Sequence, residues 1–587
     1  MPTLHWIGKD KVINHHAEVP FRVLEHKYGF RGDNPDDRSE THSGNKIIHG
    51  DNLEALKALL PEYEGKVDCI YIDPPYNTGN EGWVYNDNVN DPHIRKWLGE
   101  VVGAEGEDLS RHDKWLCMMY PRLRLLYQLL SSKGAIFISI DDNEQANLKL
   151  ICDEIFGTNN FVADIAWQRT YSMRNDSLGI PAEKEHLMVY RKDASWQPNK
   201  LSRTAEMNAK YKNPDNDPNG LWQNTSAFAP GGATHQGMVY AIQHPFTGKM
   251  LYPTKNAHWR YSQSDMLAIM NEWCAYELKN LHDEKERATV CGINENEIRK
   301  DVLAIVLSES LEASKEEASK VMERGQWPRF YFTQKGKGGI RRKTYLNNVG
   351  DIPATNLWSF SEVGHTDEAK KELMAIFNGK SPFDTPKPTR LLERILHIST
   401  NKDSIVLDSF AGSGTTAHAV MKKNTEDGGN RKFILVELMN YAEDVTAERV
   451  RRVINGYGEG KKAVNGLSGA FDYYELGEPL FQADENLNEN VGIEKIREYI
   501  YYTETHQHLE RKQEIDFPYL LDYFNGTGYF FYYEPNEITT LSHDTLTIVP
   551  QKAEHYVIYA DICAISKEQL AQMNITFKKI LRDINRF

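Results

Sequence analysis

Four consecutive residues, Asp73-Pro74-Pro75-Tyr76, combine side chains and backbone in a way that could bind an amine. They follow a mostly apolar run, Val67 to Ile72, that predicts a buried strand. The tetrapeptide therefore sits at a strand's carboxyl end, the edge at which open α/β sheets bind ligands. Proline fixes φ and lacks a backbone N–H, so its carbonyl is left to accept. An Asp73 oxygen and the Pro74 carbonyl suit the two hydrogens of an exocyclic amine, and Tyr76 suits stacking on the ring that bears it. The competing reading is a strand-ending turn, because Asp-Pro pairs commonly start turns.

A second constellation lies far downstream, Asp408-Ser409-Phe410-Ala411-Gly412-Ser413-Gly414-Thr415-Thr416. It falls between a predicted strand and a predicted helix. Gly412 and Gly414 permit a tight turn and close backbone approach. The helix beyond offers unpaired N–H groups at its first turn. Glu437 ends the next predicted strand, where an acid suits ribose hydroxyls. A lone GxG is also what a structural turn looks like. Two features set this one apart from dinucleotide loops: position 417 is Ala417 rather than a third glycine, and Asp408 opens the loop. A carboxylate there repels a pyrophosphate and suits an ammonium. A ligand with an adenosine, a cation and no phosphate fits, which points to S-adenosylmethionine.

The elements that must position these loops alternate in type. Lys46 to His49, Val67 to Ile72, Ala135 to Ile140, Phe161 to Trp167, His186 to Tyr190, Ser404 to Leu407 and Phe433 to Glu437 read as strands. Leu53 to Leu60, Lys114 to Leu130, Glu144 to Phe156, Leu391 to Ile398 and Thr415 to Lys422 read as helices. Such alternation predicts a mostly parallel, doubly wound α/β sheet. The pattern breaks near residue 197 and resumes near 351, so the middle segment is read as an insert. The expected parts are an irregular arm (1–40), a first α/β part (41–197), the insert (198–350), a second α/β part (351–460) and an α+β region (461–587). Within the insert, Glu295 to Arg324 is expected to be helical and Arg329 to Tyr345 a hairpin.

The chain has 587 residues and a net charge of −15. That is too long for one core. Its six cysteines form no CxxC pair, which suits reduced thiols and gives no reason to expect a metal. No apolar run or leader pattern directs it to a membrane or out of the cell, so a cytoplasmic location is expected. Charge is unevenly spread. Residues 471–587 carry 20 acidic and 10 basic residues, a net of 10 − 20 = −10. Residues 324–345 carry no acid and seven bases: Arg324, Arg329, Lys335, Lys337, Arg341, Arg342 and Lys343. Of these, Arg329, Lys335, Lys337, Arg341, Arg342 and Lys343 are candidate phosphate contacts, against the plain alternative of a solvated charged turn.

The DPPY tetrapeptide followed by a distant FxGxGT loop resembles the β-class amino-methyltransferases of DNA, which are circularly permuted relative to other such enzymes. FDTPKPTRLLERIL (Phe383 to Leu396), GDNLEAL (Gly50 to Leu56) and EHLMVYRK (Glu185 to Lys192) are similar to that family's pattern. The likeness extends to the modification subunit of Type III restriction-modification systems, through DPPYNTG, ATNLWSFSEVGHTDEAKKEL and the closing YADICAISKEQLAQMNITFKKILRDINRF. One departure is Ser409, where the family usually has proline.

The resemblance implies a Rossmann-like S-adenosylmethionine fold, permuted, with the insert as a target-recognition domain. It implies adenine-N6 methylation of double-stranded DNA, with homodimerisation and a helicase-nuclease restriction subunit as partner. Asp73, Pro74, Pro75 and Tyr76 would be catalytic. Asp51 would approach the cofactor's adenine, and Lys387 and Thr389 its methionine end. Phe410 would pack on it, Gly412, Gly414 and Thr415 would shape its loop, and Asp408 and Glu437 would face its polar groups. Asn77 either holds the loop or contacts the cofactor. Cytosine-N4 methylation ranks lower, since the family usually shows serine in place of Asp73 for that reaction, and a stand-alone enzyme without a restriction partner is a further alternative. Asp73→Ala is expected to keep DNA binding and lose transfer of labelled methyl groups; undiminished transfer would contradict the role given to Asp73.

Overall fold

The chain is described by a computed structural model over residues 3–34, 36–78, 111–171, 179–482, 484–510, 517–535, 537–549 and 553–582. Two units emerge: residues 1–199 with 353–587, and residues 200–352.

Ten strands build one sheet in the first unit. They are β1 (Arg22–Arg31), β2 (Lys46–His49), β3 (Val67–Ile72), β4 (Leu130–Ile140), β5 (Phe161–Gln168), β6 (Lys184–Arg191), β7 (Leu357–Trp358), β8 (Ile405–Asp408), β9 (Lys432–Glu437) and β10 (Ala470–Pro479). Their order across the sheet is β1-β10-β2-β9-β8-β3-β4-β6-β5-β7. From β10 to β4 every neighbouring pair is parallel, as the alternation of strands and helices requires. The edges add antiparallel pairs, β1 with β10 and β6 with both β4 and β5.

Helices cover both faces of the parallel part. Ile70, Ile72, Ile136 and Ile138 pack with Leu53, Leu56, Leu123 and Leu126 of the helices Asn52–Tyr63 and Arg111–Leu129. Side chains alternate along a strand, so Cys69 points to the other face. There it meets Ser399, the last residue of helix Thr389–Ser399, at 3.1 Å. That helix packs in turn on Thr415–Asp427. Strand β3 leads to β4 on one side, whereas β8 leads to β9 on the other. Because β3 and β8 are direct neighbours, the switch point of the winding falls between them.

Two expectations about the ends need correction. The arm at residues 1–40 is not wholly irregular, since Arg22–Arg31 forms β1. Likewise Ala470–Pro479, placed with the carboxyl-terminal region, belongs to the large sheet as β10. Each strand pairs with a partner more than 400 residues away (Phe30 with Phe471), and Glu25 and Lys27 are exposed, which blurs the alternation. Charge on an edge strand also protects it from pairing with another chain. The remaining carboxyl-terminal residues do form an α+β layer. A sheet of Leu520–Phe524, Thr527–Phe531, His555–Ala560 and Ile575–Lys579 is accompanied by helix Ile493–Thr505. No helix among the described residues is long and apolar enough to cross a membrane.

The second unit has its own core around Trp222, Trp259, Trp273, Phe330, Phe332 and Ile340. The expected hairpin is present, with Phe330–Phe332 antiparallel to Ile340–Tyr345, which continues onto Trp222–Ser226. The expected single helix over Glu295 to Arg324 is not. A strand, Ala304–Leu307, interrupts it, and Ser310 caps a shorter helix, Leu311–Arg324, by accepting from the Ala313 N–H.

Lys343 also needs correction. Its side chain is fully buried, and its ammonium donates to Asp215 and Asp217 at 2.5 Å each and to the Trp327 carbonyl at 2.6 Å. It ties the hairpin to the loop at residues 215–217 and cannot reach a phosphate. Removing one member of a buried ion cluster strands the others, so Lys343→Ala should lower the unfolding free energy by about 3–5 kcal/mol in denaturant titrations. A loss below ~1 kcal/mol would show that the cluster is not a structural tie.

Candidate active site

The carboxyl ends of β3 and β8 bring the two predicted loops together. Val406 pairs with Cys69 and Leu407 with Ile70, so Asp408 and Asp73 leave the same edge of adjacent strands. One cavity there is walled by Tyr71, Asp73, Lys387, Asp408, Phe410 and Gly412, with Phe383 and Thr415 closing its sides.

On the β3 side the loop is held by bonds to its neighbours. The Trp115 indole donates to the Pro75 carbonyl at 2.6 Å. Asn77 adopts a left-handed backbone, φ 61°, and its amide donates to Glu144 and to the Arg111 carbonyl. Of the two roles open to Asn77, holding the loop is the one its contacts serve. Tyr76 is 5% exposed, and its hydroxyl, with one hydrogen to donate, lies within reach of two acceptors, Asp73 at 2.9 Å and Glu185 at 3.0 Å. Lys387 completes the group. Its Nζ lies 2.7 and 2.6 Å from the two Asp73 oxygens, 3.7 Å from Glu185 and 5.0 Å from the Tyr76 ring centroid.

Burial raises the Asp73 carboxyl above its ordinary value, and the Lys387 ammonium works against that rise. For Glu185 the balance reverses. Burial pushes it up, but Lys387 and Arg169 more than offset this, and it lies below the usual carboxylate range. Arg169 donates to Glu185 at 2.8 Å.

On the β8 side the glycines are needed for shape. Gly412 and Gly414 have φ of 51° and 77°. A Cβ at Gly412 would stand 3.1 Å from the Phe383 ring, and one at Gly414 would stand 3.0 Å from the Thr446 carbonyl. Asp408 accepts from the Phe410 N–H at 3.1 Å and from the Thr416 hydroxyl at 2.5 Å. Glu437 reaches back from the end of β9 to accept from the Gly412 N–H at 2.7 Å. Burial is the first cause that lifts both carboxyls, each to about 7.

Five predicted cofactor residues do not line the cavity: Asp51, Asn77, Thr389, Gly414 and Glu437, the last two of which shape or brace the glycine loop. Asp51 caps the helix Asn52–Tyr63 through the Leu53 N–H and pairs with Arg122 at 3.3 Å. Thr389, buried, donates to Glu372, and Asn77 is engaged as above. Conversely, several residues that hold the site were not singled out from sequence. Arg449, fully buried, donates to Ser413 at 3.0 Å and to Thr415 at 2.7 Å from below the loop. Glu144, Arg169 and Glu185 support the β3 side. Glu185 had a signal, the one acid in a strand whose centre is apolar; Arg449 lies in a helix of mixed charge and had none.

In the insert, Arg329, Lys335, Lys337 and Arg341 are exposed and Arg342 is half-buried. Burial lowers the Arg342 guanidinium, and the neighbouring charges of Arg260 and Arg329 lower it further. Arg260, exposed, thus joins the predicted basic surface, whereas Trp222 and Trp259 belong to the core.

The first unit's cavity is lined by two carboxylates, Asp73 and Asp408, and one ammonium, Lys387, beside Phe383, Phe410 and the glycine loop. The DNA methylase family model N6_N4_Mtase matches residues 67–504. The Mod subunit of the Type III restriction-modification enzyme StyLTI from Salmonella typhimurium is 32% identical over 518 residues, covering 83% of this chain and 68% of that one. The EcoPI Mod subunit of Escherichia phage P1 is 30% identical, covering 74% and 63%. The Type II methyltransferase M.KpnI of Klebsiella pneumoniae is 30% identical, covering 67% and 81%. The chain thus spans about two thirds of the length of these Type III relatives. With its two motifs in one cavity and a family match over most of its length, the chain belongs to the N6/N4 DNA methylases and resembles the Type III modification subunits among them.

Proposed function

We propose that this protein is a site-specific DNA adenine-N6 methyltransferase, the modification and specificity subunit of a Type III restriction-modification system. The observation that carries this reading is the shared cavity, walled by Asp73 from one loop and by Asp408, Phe410 and Gly412 from the other. S-adenosylmethionine is the donor; bound, it supplies an electrophilic methyl group on a sulfonium. The buried carboxylates Asp408 and Glu437 suit its cation and ribose hydroxyls, and Phe410 walls the cavity. Names of the relatives support a DNA substrate and a restriction partner.

The amine of adenine is a poor nucleophile because its lone pair is delocalised into the ring. Asp73 and the Pro74 carbonyl accept its two hydrogens and draw the nitrogen toward tetrahedral geometry. Catalysis is then chiefly positioning and electrostatic stabilisation of the positive charge that develops on nitrogen. Asp73 need not be a strong base for this. The base must leave the duplex to reach Asp73, and Tyr76 is the ring that receives it. Arg329, Lys335, Lys337, Arg341 and Arg342 of the insert neutralise phosphates, which makes binding steeply salt-dependent. The protein acts as a homodimer with a helicase-nuclease partner. An aspartate rather than serine at position 73 favours adenine over cytosine.

Single-molecule sequencing of DNA from cells expressing the chain should show N6-methyladenine at one short recurring sequence; N4-methylcytosine, or no modified site, would contradict the assignment. The cofactor site carries its own pH signature. Asp408 and Glu437 have folded values near 7, above their ordinary 3.8 and 4.5. The stability they confer when protonated is complete below about 4 and lost as the pH rises through about 7. A cation bound beside them favours the ionised forms and reverses that loss. The rise in Tm caused by S-adenosylmethionine should therefore be larger at pH 8 than at pH 6, with affinity about two- to tenfold tighter. An unchanged or smaller shift at pH 8 would exclude these carboxylates as the cation's partners.

A further inference from the structure

The Lys387 ammonium stands on both Asp73 oxygens, at 2.7 and 2.6 Å, and over the Tyr76 ring. It therefore covers the two groups assigned above to the target base. An amine hydrogen can take an Asp73 oxygen only if the ammonium yields it. An ammonium left without a counter-ion in a dry pocket is heavily penalised, so a second acceptor must lie within reach. Glu185 is that acceptor. Its side chain is 6% exposed, and its Oε2 lies 3.7 Å from Lys387 Nζ. A shift of about 1 Å brings the ammonium into a charge-assisted hydrogen bond there. Glu185 cannot swing away in response, because Arg169 holds one oxygen at 2.8 Å and the Tyr76 hydroxyl holds the other at 3.0 Å.

We propose that Glu185 is a positioning residue of methyl transfer, one that takes over the Lys387 ammonium as the target amine takes Asp73 and that keeps Tyr76 oriented meanwhile. The inference rests on the adenine-methyltransferase reading, and it adds a hand-over of charge between two carboxylates to that reading. No proton or covalent bond is transferred in the hand-over; only the hydrogen-bond partners of one ammonium change.

The test compares duplexes carrying the methylated site with adenine, or with purine lacking the amine, at the target position. Affinities are read by fluorescence anisotropy with sinefungin present, and the preference for adenine over purine measures what the amine gains at Asp73. Differences in duplex pairing cancel when variants are compared. Glu185→Gln should lower that preference about tenfold, the scale of one coupled charge contact. Its S-adenosylmethionine Kd, by calorimetry, should stay within about twofold of the wild type. In a Lys387→Met background, with no ammonium to relocate, Glu185→Gln should change the preference no further. Glu185→Ala is read in the same cycle should the amide variant fail to fold. An undiminished preference in Glu185→Gln, or an equal loss in both backgrounds, would overturn the hand-over, the latter by showing that Glu185 only supports Tyr76 and Arg169. A wild-type protein that transfers no methyl group to the adenine duplex would instead overturn the reading beneath it.

Discussion

The parallel pairing of β3 with β8 is the constraint on which the site depends. Cys69 lies beside Val406 and Ile70 beside Leu407, so two segments remote in sequence leave the sheet side by side. Both strands lie inside the sheet, with β9 beyond β8 and β4 beyond β3, and most of their residues are buried. Their carboxyl ends therefore cannot drift. Sheet geometry sets where the DPPY tetrapeptide and the glycine loop begin, and contacts such as Trp115 to the Pro75 carbonyl and Arg449 to Ser413 hold them from there. A permuted chain reaches the same arrangement as an unpermuted one, because the switch point is defined by strand adjacency and is indifferent to which half comes first.

Charge is the second organising feature. Asp73, Glu185, Asp408 and Glu437 are buried at one sheet edge with Lys387 among them. Burial raises three of these carboxyls, Asp73, Asp408 and Glu437. The site is therefore built at some cost to the fold and gains from a cationic ligand. Arg449 and Glu144 stiffen the two loops from behind without entering the cavity. The insert solves a similar problem differently: its buried cation, Lys343, is fully paired with Asp215 and Asp217 and serves packing alone.

Much of this was legible in the sequence. The strands Lys46–His49 and Val67–Ile72 agree with the reading to the residue, because apolar runs between turn-forming residues admit little else. Asp73 and Asp408 were identifiable because each is a charged residue closing an apolar strand. What escaped the reading depends on distant partners. Nothing near Arg22–Arg31 announces β10, which lies at the other end of the chain. Lys343 looked like its exposed basic neighbours, since its two acids lie more than 120 residues upstream. Glu185 stood only as the first residue of the EHLMVYRK motif, just ahead of the predicted strand, and only the folded chain sets it across from Lys387.

A crystal structure with target duplex and sinefungin tests most directly whether the two loops form one active site. The predicted result has the target adenine out of the helix and over Tyr76, with its N6 within about 3 Å of an Asp73 oxygen and the Pro74 carbonyl, and with sinefungin against the loop from Asp408 to Thr416. A stacked, paired adenine, or a cofactor bound away from that loop, would contradict it.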